Sequence, residues 1–246
     1  MRFAAIADIH GNLSALEAVL EDIARQGIAQ VVNLGDCLSG PLDPAGTAAR
    51  LRPLGLPTVR GNHDRWLGTG SGGGRWEQDA EALVTGDVRD WLARLPEVLD
   101  WQGIFLCHAT PQDDLSYWLH HATPEGWMRP ATAAEAAAPA AGLGAELFLC
   151  GHTHLQAAVR LPGGQLVVNP GSVGCPAYSD DAPWPHRAEA RATQAHYAIL
   201  ERRPAGWDVT FRLVPYDPAP MIARARAAGS PEWATALATG FADWSA

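Results

Sequence analysis

Apolar runs that stop abruptly on polar side chains recur between Phe3 and His154. Phe3-Ala4-Ala5-Ile6-Ala7 ends on Asp8-Ile9-His10 and Val31-Val32-Asn33-Leu34 on Gly35-Asp36. Thr58-Val59-Arg60 leads to Gly61-Asn62-His63, Ile104-Phe105-Leu106-Cys107 to His108, and Leu147-Phe148-Leu149-Cys150 to Gly151-His152-Thr153-His154. Short runs of this kind, bounded by turn residues, predict buried strands. A carboxylate at the end of such a strand must be paired, hydrogen-bonded or metal-bound, because burying it alone is costly. Between the first two strands, Leu13, Leu16, Val19, Leu20 and Ile23 recur at helical spacing. That helix is expected to open on the capping box Ser14-Ala15-Leu16-Glu17 and to end at Gly27. Strand, helix and strand then make a right-handed β-α-β unit that brings Asp8 and His10 beside Asp36. In open α/β sheets the carboxyl edge is where ligands bind, and all five polar strand ends are expected there.

The rest of the chain reads as support. Residues 41 to 57 predict a loop and a short helix ahead of the third strand. Gly68-Thr69-Gly70-Ser71-Gly72-Gly73-Gly74 formally matches G-x-G-x-x-G, but no strand precedes it, so a mobile loop beside the site is expected rather than a dinucleotide fingerprint. Residues 75 to 95 predict two helices, the second with Val88, Trp91, Leu92 and Leu95 on its core face. The segment 111–130, rich in Asp, Trp, His and Pro, suits either a substrate-facing cap or a surface loop with docked aromatics. An alanine-rich helix is expected over 131–145, around Pro139. A strand follows from Gln165 to Asn169, and His196 to Glu201 with Trp207 to Val214 predict a hairpin of a second sheet. Residues 215–246 look like a C-terminal brace.

At 246 residues, 47% of them hydrophobic, the chain is expected to form one domain over 1–246. A net charge of −9 argues against general binding to nucleic acid or to an anionic membrane, both of which need a basic face. All 18 basic residues are Arg, so the lysine of a P-loop is missing. Cys37, Cys107, Cys150 and Cys175 form no Cys-x-x-Cys pair and read as small apolar fillers in a reducing compartment. The first apolar stretch is broken by Asp8 and His10, too early for a signal peptide, and no run reaches membrane-spanning length. A cytoplasmic protein is expected.

Asp8, His10, Asp36, Asn62, His108, His152 and His154 are seven nitrogen and oxygen donors. They exceed one tetrahedral site and suffice for two five- or six-coordinate ions if one carboxylate is shared, and Asp36 is the natural bridge. The donor set suits divalent or trivalent Mn, Fe, Zn or Ni. Two such ions roughly 3.5–4 Å apart lower the pKa of a bridging water and hold both ends of an in-line displacement, which is phosphoryl ester chemistry. His63 is surplus to the ligand count and can act as general acid, with Asp64 fixing its tautomer. Arg65 and Arg60 are candidates for clamping a phosphate. Taken singly, each histidine is better read as structural, and that reading is kept for His120, His121, His186 and His196. Jointly, the polar strand ends point to a metal site.

In order and spacing, Asp8-x-His10, Gly35-Asp36, Gly61-Asn62-His63-Asp64, His108 and Gly151-His152-x-His154 resemble the motif series of the calcineurin-like metallophosphoesterase superfamily. Asp8-Ile9-His10-Gly11-Asn12 and Asn169-Pro170-Gly171-Ser172 are similar to its small bacterial phosphodiesterase branch. The resemblance implies a four-layer α/β/β/α sandwich of two mixed sheets with helices outside. It also implies a di-metal site in which Asp8, His10, Asp36 and His154 hold one ion, Asp36, Asn62, His108 and His152 hold the other, and His63 donates the proton. Two positions depart from the family pattern: Gly40 stands one residue later than its usual glycine, and Ala109 replaces the glycine that commonly follows the histidine. The function expected is hydrolysis of a phosphodiester in a small or nucleotide-like substrate. The alternatives are a phosphomonoesterase and a metal-binding scaffold without catalysis.

Overall fold

Four of the five expected polar-ended strands form, and they divide between two sheets. Along residues 1–243, which the computed structural model describes, the elements are β1 (Arg2–Ile6), α1 (Leu13–Arg25), β2 (Val31–Asn33), α2 (Pro44–Leu51), α3 (Asn62–Thr69), α4 (Arg75–Glu81), α5 (Gly86–Ala93), β3 (Val98–Trp101), β4 (Ile104–Cys107), β5 (His120–Ala122), β6 (Met128–Pro130), α6 (Ala133–Ala137), β7 (Leu147–Leu149), β8 (Ala157–Arg160), β9 (Leu166–Asn169), β10 (Ala177–Asp180), β11 (His186–Glu189), β12 (Ala195–Arg203), β13 (Gly206–Val214), α7 (Ala219–Ala227) and α8 (Pro231–Thr239). The first sheet has the order β13-β12-β1-β2, with β1 parallel to β2 and antiparallel to β12. The second has the order β3-β4-β7-β9-β8, parallel at its centre and antiparallel at both edges.

Two expectations change with this topology. The hairpin β12–β13 belongs to the sheet of β1 and β2, where β12 pairs with β1 from Arg2↔Glu201 to Ala5↔Ala198. The polar strand ends therefore do not share one sheet edge. Asp8 and Asp36 leave the first sheet, whereas His108 and the His152–His154 turn leave the second. The alternation of strand side chains settles what lies between the sheets. Phe3, Ala5, Val32, Ala198 and Leu200 meet Ile104, Leu106, Leu147, Leu149, Leu166 and Val168 in one buried apolar layer. On the opposite face Ala4, Ile6, Val31, Tyr197 and Ile199 pack under the helices through Leu16, Val19, Ile23, Leu51, Leu67 and Leu92. Phe148, Val167, Cys107 and Cys150 cover the outer side of the second sheet together with Trp118, Ala136 and Ala140. The result is a mixed α/β sandwich of helices, sheet, sheet and a thin outer layer in which α6 is only five residues long.

Local chemistry moves several boundaries. Asn12, not Ser14, caps α1: its Oδ1 accepts from Ala15 N (3.0 Å) while its amide donates to Gly174 O (3.0 Å). The third strand shrinks to a bridge between Thr58 and Asn33, because Gly61 starts α3 and puts Asn62 and His63 in a helical first turn. The glycine-rich stretch simply joins α3 to α4, and the helix expected over 131–145 covers only Ala133–Ala137. Helices α7 and α8 pack through Met221, Ala225, Trp233 and Leu237 on Leu42 and Cys175. Residues 244–246, part of the expected brace, lie outside the described residues.

Candidate metal centre

Asp8, His10, Asp36, His152 and His154 all have positive φ, between 49° and 68°. This is backbone that non-glycine residues adopt rarely and at a cost of about 1–3 kcal/mol each, and it accumulates at functional sites. A mesh of hydrogen bonds holds it in place. Asp8 N donates to Gly35 O (3.0 Å), Ile9 N and His10 N both donate to Asp36 O (2.9 and 3.0 Å), and Gly174 N donates to Asp8 O (3.0 Å). The mesh ties the two sheets at the points where the donors emerge. Asp8, His10, Asp36, Asn62, His108 and His154 are at most 3% exposed.

The donors fall into two groups, Asp8, His10 and His154 in one, and Asp36, His108 and His152 in the other. Within each group the ligand atoms lie within 4.8 Å of one another. Three imidazoles are oriented by main-chain carbonyls. His108 Nδ1 donates to Leu34 O (2.7 Å), His154 Nδ1 to Cys175 O (2.9 Å) and His152 Nε2 to Leu115 O (2.9 Å). A neutral ring so committed turns the lone pair of its other nitrogen inward, as metal-ligating histidines do. The inward atoms then crowd one another: His10 Nε2 is 3.2 Å from His154 Nε2, and His108 Nε2 is 3.0 Å from Asn62 Oδ1. Asp36 Oδ1 accepts from His63 N (3.0 Å), but Asp36 Oδ2 is buried without a hydrogen bond, 3.1 Å from His108 Nε2 and 3.8 Å from His10 Nε2. A buried carboxylate oxygen that accepts no hydrogen bond and is ringed by imidazole nitrogens fits a cation, whether a proton on His108 or a metal, and the donors suit a divalent metal.

The electrostatics agree. Burial pushes Asp8 up to about 8 and His10 down to about 3. Burial, with His108 beside it, lowers His152 to about 4, and burial takes His154 well below the usual histidine range. Burial also disfavours charge on His108, but the adjacent Asp36 carboxylate overrides it and lifts His108 to about 10. In turn, burial would raise Asp36, and His108 followed by His63 holds it well below the carboxylate range. A proton on His108 thus occupies the place that positive charge takes at the centre of the cluster.

His63 borders the cluster, its ring edge-on to His10 (5.2 Å) and stacked on Trp76 (5.2 Å, 21°). The partner of its Nδ1 is Glu77, not Asp64 as expected. Glu77 is 6% exposed, and its Oε2 accepts from Gly74 N (2.6 Å). Burial lowers His63, and Asp36 together with Glu77 outweighs that, leaving it above the usual range. Asp64 turns away and accepts from the backbone N–H groups of Asp36 (2.7 Å), Cys37 (2.9 Å) and Gly61 (3.1 Å), so it shapes the turn that carries Asp36. A side chain at Gly61 would collide with Asp36 Oδ1. Gly40, at φ 112°, lies under Trp233, which explains why glycine stands at that departure from the family pattern. Arg65 is held bidentately by Asp114 (2.7 and 2.8 Å) and Arg60 by Glu97 (2.6 Å), so neither offers a free guanidinium.

The cluster opens into a cavity of about 830 Å³. Trp66 and Trp76 line it beside His63, and Leu115, Tyr117, His121 and Arg129 line it with Tyr178, Asp180 and Pro183. Sequence reasoning set His121 and His186 aside as structural. The structure brings His121 into the cavity wall, and His186 Nε2 accepts from Tyr117 Oη (2.9 Å) because its Nδ1 is committed to Trp184 O (2.6 Å). Glu77 was missed as well. No local motif marks either, since Glu77 is fourteen positions from His63 and the β5–β6 ribbon places His121. Among the described residues no helix is long and apolar enough to cross a membrane.

Comparison with known proteins gives the family and the fold. A metallophosphoesterase from Sphaerobacter thermophilus superposes with a TM-score of 0.75 at 27% identity, covering 98% of this chain and 100% of the other. Protein PH1004 from Pyrococcus horikoshii OT3 shares the fold, with a TM-score of 0.75 at 20% identity over 97% and 98% of the two chains. The uncharacterized protein MJ0912 of Methanocaldococcus jannaschii is 44% identical over 61 residues, a quarter of the length of each protein. A family model for the calcineurin-like phosphoesterase superfamily domain matches residues 1–200, and the chain belongs to that superfamily.

Proposed function

We propose that the protein is a metal-dependent phosphoesterase that hydrolyses phosphodiester bonds of a small or nucleotide-like substrate. The observation that carries this reading is the meeting of the two donor groups at Asp36 Oδ2, which is buried and accepts no hydrogen bond. Asp8, His10, Asp36 and His154 would hold one cation, and Asp36, Asn62, His108 and His152 a second. Cations bound there supply charge neutralisation for the ester oxygens and hydroxide near neutral pH. Asp36 is anchored through Oδ1 to His63 N, so Oδ2 would be the oxygen left to a cation. His63, with its Nδ1 proton committed to Glu77, presents Nε2 to the leaving oxygen and gives up a proton there. Trp76 stacked on the ring keeps it from rotating away.

The walls favour a diester. A monoester dianion calls for cationic side chains, yet Arg129, which lines the cavity, is engaged by Glu135 (2.9 and 2.7 Å), and Asp180 adds negative charge. A diester carries one charge and two organic arms, which suits a wide, largely aromatic cavity. Turnover of bis-p-nitrophenyl phosphate against p-nitrophenyl phosphate, with manganese verified in the protein by elemental analysis, tests the reading. The diester should be the better substrate. Faster turnover of the monoester, or none of either by metal-loaded protein, overturns it.

A further inference from the structure

Helix α4 carries two of the side chains that hold the ring of His63: Trp76 stacks on it and Glu77 accepts from its Nδ1. The helix is seven residues long and joins α3 through Gly70, Gly72, Gly73 and Gly74, so neither its own hydrogen bonds nor its connection fixes where it lies. Ala80 anchors it from inside, in the core beneath the first sheet. Further ties come from far along the chain. Trp233 of α8, 2% exposed, meets Trp76 with ring centroids 4.7 Å apart and planes tilted by 58°, and it stands edge-on to His10 at 6.0 Å. Arg75 Nη2, at the start of α4, donates to Ala228 O (2.9 Å) and Gly229 O (2.8 Å) in the turn between α7 and α8. Gly40 N donates to Trp76 O (3.0 Å), and the Trp233 ring fills the space a Cβ at Gly40 would take.

We infer that the helix pair α7 and α8 holds His63 in its working orientation by way of α4, with Trp233 as the positioning residue. This rests on the reading of His63 as the acid of a phosphodiesterase. The pair lies after the last of the motif-bearing turns, in the stretch that the sequence presents only as a brace. It is firmly seated: Met221, Ala225 and Leu237 pack with Trp233 on Leu42 and Cys175, and Arg224 reaches Asp43 (3.2 Å). Trp233 acts on His63 through Trp76, whose ring lies against both. Rings at these separations attract one another in tilted and offset arrangements and resist sliding. A general acid works only when its proton is aimed at the leaving oxygen, and small misplacements are costly. Trp233 Nε1 is buried without a hydrogen-bond partner, so the side chain serves by shape and stacking, and a phenyl ring in its place unpairs no other group.

Two methyl phosphodiesters that differ in leaving group test it. Methyl p-nitrophenyl phosphate releases a weakly basic phenolate that needs little protonation, whereas methyl phenyl phosphate releases a more basic one that needs the acid. With manganese verified in each protein by elemental analysis, Trp233→Leu should lose about tenfold in kcat on the phenyl ester and less than about twofold on the nitrophenyl ester, at unchanged metal content. Trp233→Phe should keep the parent's ratio of the two rates. Arg75→Gln, a change at a half-exposed side chain, should move the ratio in the same direction as Trp233→Leu by about threefold. Nuclear magnetic resonance of the metal-free protein gives a readout without turnover. The carbon-bound ring protons of His63, assigned by their absence in His63→Ala, lie in the ring current of Trp76, and their shifts should move in Trp233→Leu and Arg75→Gln and stay in place in Trp233→Phe. Equal losses on both esters, or a parent ratio with His63 shifts untouched in Trp233→Leu, overturn the inference. Should Trp233→Leu not fold, an unchanged ratio and unchanged shifts in Arg75→Gln overturn it. Should the manganese-loaded parent turn over neither ester, the phosphodiesterase reading falls, and His63 shifts unmoved in both variants overturn the inference separately.

Discussion

At the inner end of the large cavity, main-chain carbonyls aim His108, His152 and His154 and positive-φ backbone carries five of the donors. At its outer end, side chains hold one another: Tyr178 to Tyr117, Tyr117 to His186, and Arg129 to Glu135. The inner end hangs on β1, β2, β4 and β7 of the two packed sheets, whereas the two-stranded sheets β5–β6 and β10–β11 supply much of the outer wall. The contrast has a physical basis. A metal tolerates little error in ligand position, so its donors sit where backbone and tautomer are fixed before binding. Contacts to an organic arm tolerate exchange of side chains, and a separate ribbon permits that without disturbing the core.

The largest break in this contrast should come from Asp36. Asp36→Asn is expected to lower metal content and to cut turnover by more than the roughly tenfold to hundredfold typical of outer-shell changes. Elemental analysis and steady-state kinetics check it. In the parent, chelation should lower Tm, by a free energy of about 4 kcal/mol if free metal stood at a thousand times Kd, and this shift should vanish in Asp36→Asn. The cation-free chain also gives a pH signature. Asp8 and His108 are both raised, so near neutrality both bear protons that metal must displace. Metal affinity should therefore rise with pH, and calorimetry in buffers of different ionisation enthalpy should detect proton release on binding.

Next in size is the proposed acid. His63→Ala should keep both metals and lose about a hundredfold in kcat. Glu77→Gln should lose about tenfold, more on alkoxide leaving groups than on p-nitrophenolate, since its role is to hold the His63 ring. An Asp64→Asn protein that showed this leaving-group pattern, with Glu77→Gln silent, would restore the pairing expected from the sequence. The smallest functional effect should come from outside the cavity. Burial raises Asp22, but the Tyr197 hydroxyl (2.7 Å) and Arg212 hold it below the carboxylate range. A depressed carboxylate stabilises the fold above its unfolded pKa and loses that contribution as pH falls through the folded value. Asp22→Asn should thus cost about 2 kcal/mol at pH 7 in denaturant unfolding, less as the pH drops below about 4, with metal content and turnover unchanged.

The strands of the core and the donor list were legible because their signals are local. An apolar run followed at once by Asp, His or Gly is visible over a few residues, and so were Asp8, His10, Asp36, Asn62, His108, His152 and His154. The cap of α1 was misread because Asn12 and Ser14 are both good capping residues, and only the bond from Asn12 to Gly174 O decides between them. The hairpin β12–β13 was recognised but given to the wrong sheet, since strand pattern reports which side chains are buried and not which neighbour buries them.

By itself, the sequence determined which residues are candidate metal donors and which runs form the core, because both follow from side-chain chemistry and short-range period. Tertiary structure alone decided that the donors converge from two sheets, that Glu77 rather than Asp64 faces His63, that Arg65 is tied to Asp114, and that His121 looks into the cavity. Each of those is a meeting of segments far apart in the chain, and such meetings are fixed by packing of whole layers, which no local pattern encodes.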